Sequence, residues 1–144
     1  MSTPEPAPDL EHALAAMSWR FEPGRFVLLG FQGPPTPADL EALEPPAQLV
    51  REAGETTLLL SAGRLSEVLA RHPASRVQEG LLWIRFEAAM GWEVVGFLAR
   101  VTGALAAAGV PLGAVCGYSR DHLFVAEAHE DTVRRVLDEL FPRA

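Results

Sequence analysis

The sequence predicts an α+β protein of two tandem units, each an antiparallel sheet with helices covering one face. Three observations predict it. Residues 82–140 read as strand, helix, strand, strand, helix; residues 25–72 repeat that order. Trp83–Ala88 alternates apolar with other positions, as in a sheet with one covered face.

The elements follow in chain order. Residues 1–8 are Pro-rich and expected to be a flexible tail, and a short helix runs from Asp9 to Met17. Pro23-Gly24 is a turn, and Arg25–Gln32 (RFVLLGFQ) is a strand. Thr36 as N-cap, Pro37 at N1 and Asp39 at N3 open a second helix. It can run only to about Glu44, because Pro45-Pro46 ends it. Gln48–Glu52 and Thr56–Ser61 form a hairpin about Ala53-Gly54, and the helix Arg64–His72 stops at Pro73. The second half begins with the strand Leu82–Ala88. Its helix carries the apolar stripe Val94, Val95, Leu98, Val101, Thr102 and Leu105, with Gly109 as a C′ glycine. Strands flank Ser119–Asp121, and the helix Glu130–Leu140 closes the chain. This order, βαββα, is ferredoxin-like short of its last strand.

The expected domains are therefore a unit over 9–72, a linker over 73–81 and a second unit over 82–144. Phe26, Leu28, Leu58, Leu60 and Leu69 are expected in the first core. Ile84, Phe86, Leu98, Val101, Leu105, Phe124, Val133 and Leu137 are expected in the second.

Composition narrows the function classes. Among 144 residues, 49% are apolar, which is ample for packed cores. No apolar run approaches the roughly 18 residues of a bilayer span, and the N-terminus lacks the basic and apolar segments of a secretory signal. A cytoplasmic protein with no membrane partner is expected. A single cysteine, Cys116, precludes an internal disulfide. The net charge of −7, with arginines scattered along the chain, argues against nucleic acid. Lysine is absent, so no side-chain amine is present for Schiff-base chemistry. There is no G-x-S-x-G, P-loop, G-x-G-x-x-G or H-E-x-x-H, and His12, His72, His122 and His129 are dispersed. No catalytic residue, metal or cofactor is expected.

Two segments carry a family resemblance. Glu93-Val94-Val95-Gly96 is an EAVG-like segment, and Gly117-Tyr118-Ser119-Arg120-Asp121-His122-Leu123-Phe124-Val125 reads G-Y-x-x-D-H-L-F-V. The run resembles the C-terminal unit of ACT domains, the ligand-sensing modules attached to amino-acid-metabolism enzymes and regulators. It is most similar to bacterial free-standing tandem-ACT proteins without an assigned activity. Weaker similarity extends through Glu22–Val27 and Arg51–Leu58. The resemblance implies two ACT-type units, allosteric sensing without catalysis, and a small-molecule ligand such as a free amino acid. It also implies a homodimer acting on a partner protein that the sequence does not identify.

The expected ligand site joins a helix start to a strand. Gly91, Trp92, Glu93, Val94, Val95 and Gly96 open the helix, whose N–H groups suit a carboxylate. Val115, Cys116, Gly117, Tyr118, Asp121 and His122 form the facing strand and turn, with Asp121 available to an ammonium group. Each has a plainer reading. Gly91 can set a turn, Glu93 complement the helix dipole, Gly96 allow packing, and Asp121 bond its own backbone. Trp92 suits a core or an interface, and Cys116 a structural position in a buried strand. Two other classes stay open: a dimerisation module without ligand, and an unrecognised small enzyme.

Overall fold

The computed structural model describes residues 9–141. In chain order its elements are α1 (Leu10–Ala16), β1 (Trp19–Phe21), β2 (Phe26–Gln32), α2 (Pro37–Glu41), β3 (Gln48–Arg51), β4 (Glu55–Ser61), α3 (Leu65–Arg71), β5 (Arg76–Phe86), α4 (Phe97–Ala107), β6 (Gly113–Cys116), β7 (Asp121–Ala126) and α5 (Glu130–Leu140). Short 3-10 turns precede α3 and α5. The expected tail over 1–8 lies outside the described residues. No helix among those described is long and apolar enough to cross a membrane.

The chain forms two compact units, and their boundaries differ from those expected. One is Glu22–Trp83; the other joins the segment ending at Phe21 to the segment beginning at Ile84. Residues 73–81, expected as a linker, hold the first part of β5. Their polar sequence reflects exposure along that part of the strand, since residues 76–79 are all exposed.

In the Glu22–Trp83 unit the strand order is β3-β4-β2-β5, all antiparallel. β4 lies opposite β2 with Leu58 facing Leu29, and Val77 of β5 faces Leu29 from the other side. The element order is thus βαββαβ, complete with its sixth element. Val27, Leu29 and Phe31 point inward with Leu58, Leu60 and Val68 to form the core. Leu28, expected there, alternates to the other face and is 39% exposed. On α3 it is Val68 that is fully buried, while Leu69 is only half-buried.

Helix α2 begins as its sequence requires. The Thr36 hydroxyl accepts from the Asp39 N–H at 3.2 Å, and the Asp39 carboxylate accepts from the Thr36 N–H at 2.7 Å. This capping box satisfies two amide groups that the helix cannot pair internally. Asp39 is fully buried, and its carboxylate also meets Arg71 Nε and His72 Nε2, each at 2.8 Å. Burial pushes its pKa up, but the Thr36 N–H, His72 and Arg71 together outweigh that and lower it to about 2.

In the other unit β1 supplies the strand that the local sequence lacks. Trp19, Arg20 and Phe21 pair antiparallel with Phe86, Arg85 and Ile84 of β5, and the order is β1-β5-β7-β6. The Trp19 indole donates to the Asp138 carboxylate at 3.0 Å, and the Arg134 guanidinium lies 4.8 Å over the Phe21 ring. These contacts dock β1 against α5. Phe86, Phe97 and Phe141 form a ring cluster with centroids 5.1 to 5.9 Å apart, beside fully buried Val101, Leu105, Val133 and Leu137.

Helix α4 stops as its glycine predicts. Val110 N–H bonds the Leu105 carbonyl and Gly109 N–H bonds the Ala106 carbonyl, with Gly109 at φ 77°. This is the Schellman arrangement, and Val110 and Leu105 are both buried against the core. Its start is not where the apolar stripe places it. Val94 and Val95 precede the helix, which opens at Phe97 after Gly96 at φ 94°. The stripe extends one turn too far because a glycine in the left-handed region interrupts the helical path.

Candidate ligand site

Residues 87–96 form a loop between β5 and α4, and residues 117–120 form the turn between β6 and β7. Main-chain bonds hold the loop and turn together. Met90 N–H donates to the Ser119 carbonyl at 2.9 Å, Gly117 N–H to the Arg120 carbonyl at 2.9 Å, and Val94 N–H to the Gly91 carbonyl at 3.3 Å. A side chain at position 117 would press on the Arg120 carbonyl at 3.2 Å and on the His122 ring. Glycine therefore lets the turn close.

Two overlapping clefts lie between loop and turn. The wider, about 830 Å³, is lined by Ala89–Glu93 and by Cys116–Ser119. The other, about 400 Å³, runs from Met90, Gly91, Trp92 and Val94 along Gly96–Ala99 to Cys116, Gly117, Tyr118, Arg120 and Asp121. Both volumes fall within the range of small-molecule sites. The structure thus brings together Gly91, Trp92, Glu93, Val94, Gly96, Cys116, Gly117, Tyr118 and Asp121 of the expected set. Val95, Val115 and His122 line neither cleft. Val95 faces solvent, and Val115 and His122 oppose each other in the β6–β7 pairing.

Several expectations change with the geometry. The amide groups of Trp92–Val95 are not a helix start; those at the head of α4 belong to Phe97, Leu98 and Ala99, which line the smaller cleft. No side chain caps this end, because its N-cap is glycine. Trp92 lies outside the core, 90% exposed, which leaves the interface of the two expected places, and Tyr118 is fully exposed. Cys116 is exposed rather than buried, since β6 is the edge of its sheet. Its Sγ contacts the Gly117 carbonyl at 3.2 Å, and desolvation together with the Asp121 carboxylate pushes its thiol pKa up. The Glu93 carboxylate folds against Gly91, where a Cβ at position 91 would lie 2.4 Å from it.

Arg120 is the residue that sequence reading passed over. It reads there as an unassigned x of the G-Y-x-x-D motif, and only the fold places it in the cleft. Its Nε is buried and has no hydrogen-bond partner. Among the described residues, no group of three or more His, Cys, Asp or Glu is placed to hold a metal ion.

Comparison with known proteins agrees with this architecture. No curated protein matches the chain. Among solved structures, a protein of Agrobacterium tumefaciens superposes with a TM-score of 0.72 at 17% identity, covering 86% of this chain and 88% of its own. A Vibrio cholerae protein of unknown function gives a TM-score of 0.67 at 24% identity, covering 88% and 91%. The regulatory subunit of aspartate kinase from Thermus thermophilus, in its ligand-free form, gives 0.62 at 11% identity, covering 86% and 97%. At these identities the likeness is one of fold. In sequence, residues 76–139 match the ACT domain family, a stretch that takes in every residue of both clefts.

Proposed function

We propose that this chain is a regulatory sensor that binds a free amino acid in the clefts between the 89–96 loop and the β6–β7 turn. The observation that carries the reading is the joining of a loop, an uncapped helix start and the Asp121 turn around one space of ligand size. The ACT-domain match over residues 76–139 supports it, since ACT modules sense small molecules. Asp121 meets the ligand ammonium, and the cleft floor takes the rest. Binding favours one arrangement of the chain and so alters its contact with a partner protein. Such a shift requires that the ligand bind the two arrangements unequally.

A thermal-shift screen of the twenty amino acids tests this. A ligand at 100 times its Kd raises stability by about 2.7 kcal/mol, an easily read shift. No shift with any amino acid at millimolar concentration, on folded protein, would count against sensing.

A second reading rests on a separate observation. Trp92 and Tyr118, which line the clefts beside Cys116 of the edge strand β6, are exposed, and so is Val95 in the loop that carries Trp92. Exposed apolar groups beside an open strand edge favour pairing with a second copy. In that reading the chain is a dimerisation module, and the clefts are closed by the partner copy.

A further inference from the structure

The smaller cleft carries two formal charges and no more. Among its lining residues, Arg120 is the cation and Asp121 the anion; the others are apolar, aromatic, glycine or the Cys116 thiol. Glu93 does not line this cleft, and its carboxylate is turned against Gly91 in the neighbouring one. Arg120 forms no ion pair among the described residues, and its Nε is withdrawn from solvent with nothing to donate to. A buried donor without an acceptor is costly, by about 1–3 kcal/mol and more where the group is charged. The guanidinium nonetheless belongs to a residue that lines the cleft and has no anionic partner among the described residues, so its charge is left to an anion from outside the chain. The head of α4 opens onto the same cleft, with amide groups that no side chain caps. Amide groups at a helix start add to the attraction for a negative charge.

From this we infer that Arg120 is the carboxylate-binding residue of the cleft and that its ligand is an α-amino acid with an apolar side chain. The inference rests on the amino-acid reading above and gives it a chemical class. Arg120 and the uncapped amide groups of α4 take the carboxylate, and Asp121 takes the ammonium. Val94, Phe97 and Leu98 leave an apolar wall for the side chain. No third charge lines the cleft, so a charged side chain there loses its water without finding a counter-charge. A guanidinium suits the carboxylate end because its planar fork donates two parallel hydrogen bonds to two oxygens.

The test uses the full chain, with L-leucine, its decarboxylated analogue 3-methylbutylamine and its deaminated analogue 4-methylpentanoate as calorimetric probes. Arg120→Gln should weaken L-leucine about 10- to 100-fold, the usual effect of removing a hydrogen bond to a charged group. It should leave 3-methylbutylamine, which has no carboxylate, unchanged. Arg120→Lys should recover part of the loss. Because Arg120 makes no ion pair and its unpaired Nε is a cost to the empty chain, unliganded Arg120→Gln should melt no lower than the parent chain. Equal L-leucine affinity in the parent and Arg120→Gln, with Asp121→Asn weakened, would overturn the role of Arg120 and leave amino-acid sensing standing. A preference for L-lysine or L-aspartate over L-leucine would overturn the apolar class. Binding of none of the twenty amino acids to the folded chain would overturn this inference together with the sensing model.

Discussion

Asp39 and His72 lie far apart in sequence, yet Oδ2 of the first sits 2.8 Å from Nε2 of the second. The His72 ring is in turn stacked flat on Phe31, with centroids 3.7 Å apart. A buried carboxylate thereby ties the start of α2 to the end of α3 and to the strand β2 beneath them. Because Arg71 and the Thr36 N–H share that carboxylate, its loss would leave several polar groups unpaired at once.

Asp39→Asn should therefore destabilise the Glu22–Trp83 unit by about 2–4 kcal/mol, as removal of one partner from a buried charged cluster does. Urea unfolding followed by circular dichroism measures it, and a change below about 0.5 kcal/mol would show the cluster to be incidental.

The same carboxylate predicts an acid limb to stability. Its folded pKa is lowered from 3.8 to about 2, so its contribution is fully present above the ordinary carboxyl value. It is lost as pH falls through the interval from about 4 to about 2, and it amounts to about 2 kcal/mol. Denaturation at stepped pH should show this loss in the parent chain and a flatter profile in Asp39→Asn.

Two glycines of one helix segment should respond oppositely to alanine. Gly103 is exposed within α4, with open space where a Cβ would go, so Gly103→Ala should stabilise by about 0.5–1 kcal/mol. Gly109 holds φ at 77°, and Gly109→Ala should cost about 1 kcal/mol or more. Paired thermal melts decide it, and shifts of the same sign would contradict the cap geometry.

Cys116 should be a slow nucleophile despite its exposure. Desolvation and the nearby Asp121 carboxylate hold its pKa above the ordinary thiol value of 9.0, so little thiolate exists at neutral pH. Alkylation by iodoacetamide at neutral pH should be slower than that of a cysteine in an unstructured peptide, and Asp121→Asn should speed it. Rapid labelling at pH 7 would contradict this environment.

If an amino acid binds as proposed, Asp121→Ala should weaken it by about 1.5–3 kcal/mol, the usual worth of a charged hydrogen bond. The far-ultraviolet circular dichroism spectrum should not change. If instead Trp92, Val95 and Tyr118 seat a second copy, light scattering should give twice the 15.6 kDa chain mass, reduced to a monomer in Trp92→Ala with Tyr118→Ala. A 15.6 kDa species at high concentration would end the dimer reading.

What the sequence determined by itself is local. The Thr36 and Asp39 cap, the Gly109 stop and the Ala53-Gly54 turn are each set by residues a few positions apart. Short-range sterics and hydrogen bonds suffice for them, so pattern and turn chemistry were enough to read them. The alternation expected along β5, by contrast, is not seen, since Leu81–Ile84 are all buried. Tertiary structure decided what depends on distant partners. Trp19–Phe21 is too short to read as a strand, and it becomes one only because the β5 edge and the α5 contacts of Trp19 and Phe21 receive it. The inward phase of β2 chose Val27, Leu29 and Phe31 over Leu28, a choice made by the sheet as a whole. The clefts joined nine of the residues expected at the site, but they also drew in Arg120 and left out Val95, Val115 and His122. A side chain's neighbours across a turn follow from pairing register, and register is fixed by long-range packing rather than by the residues of the turn.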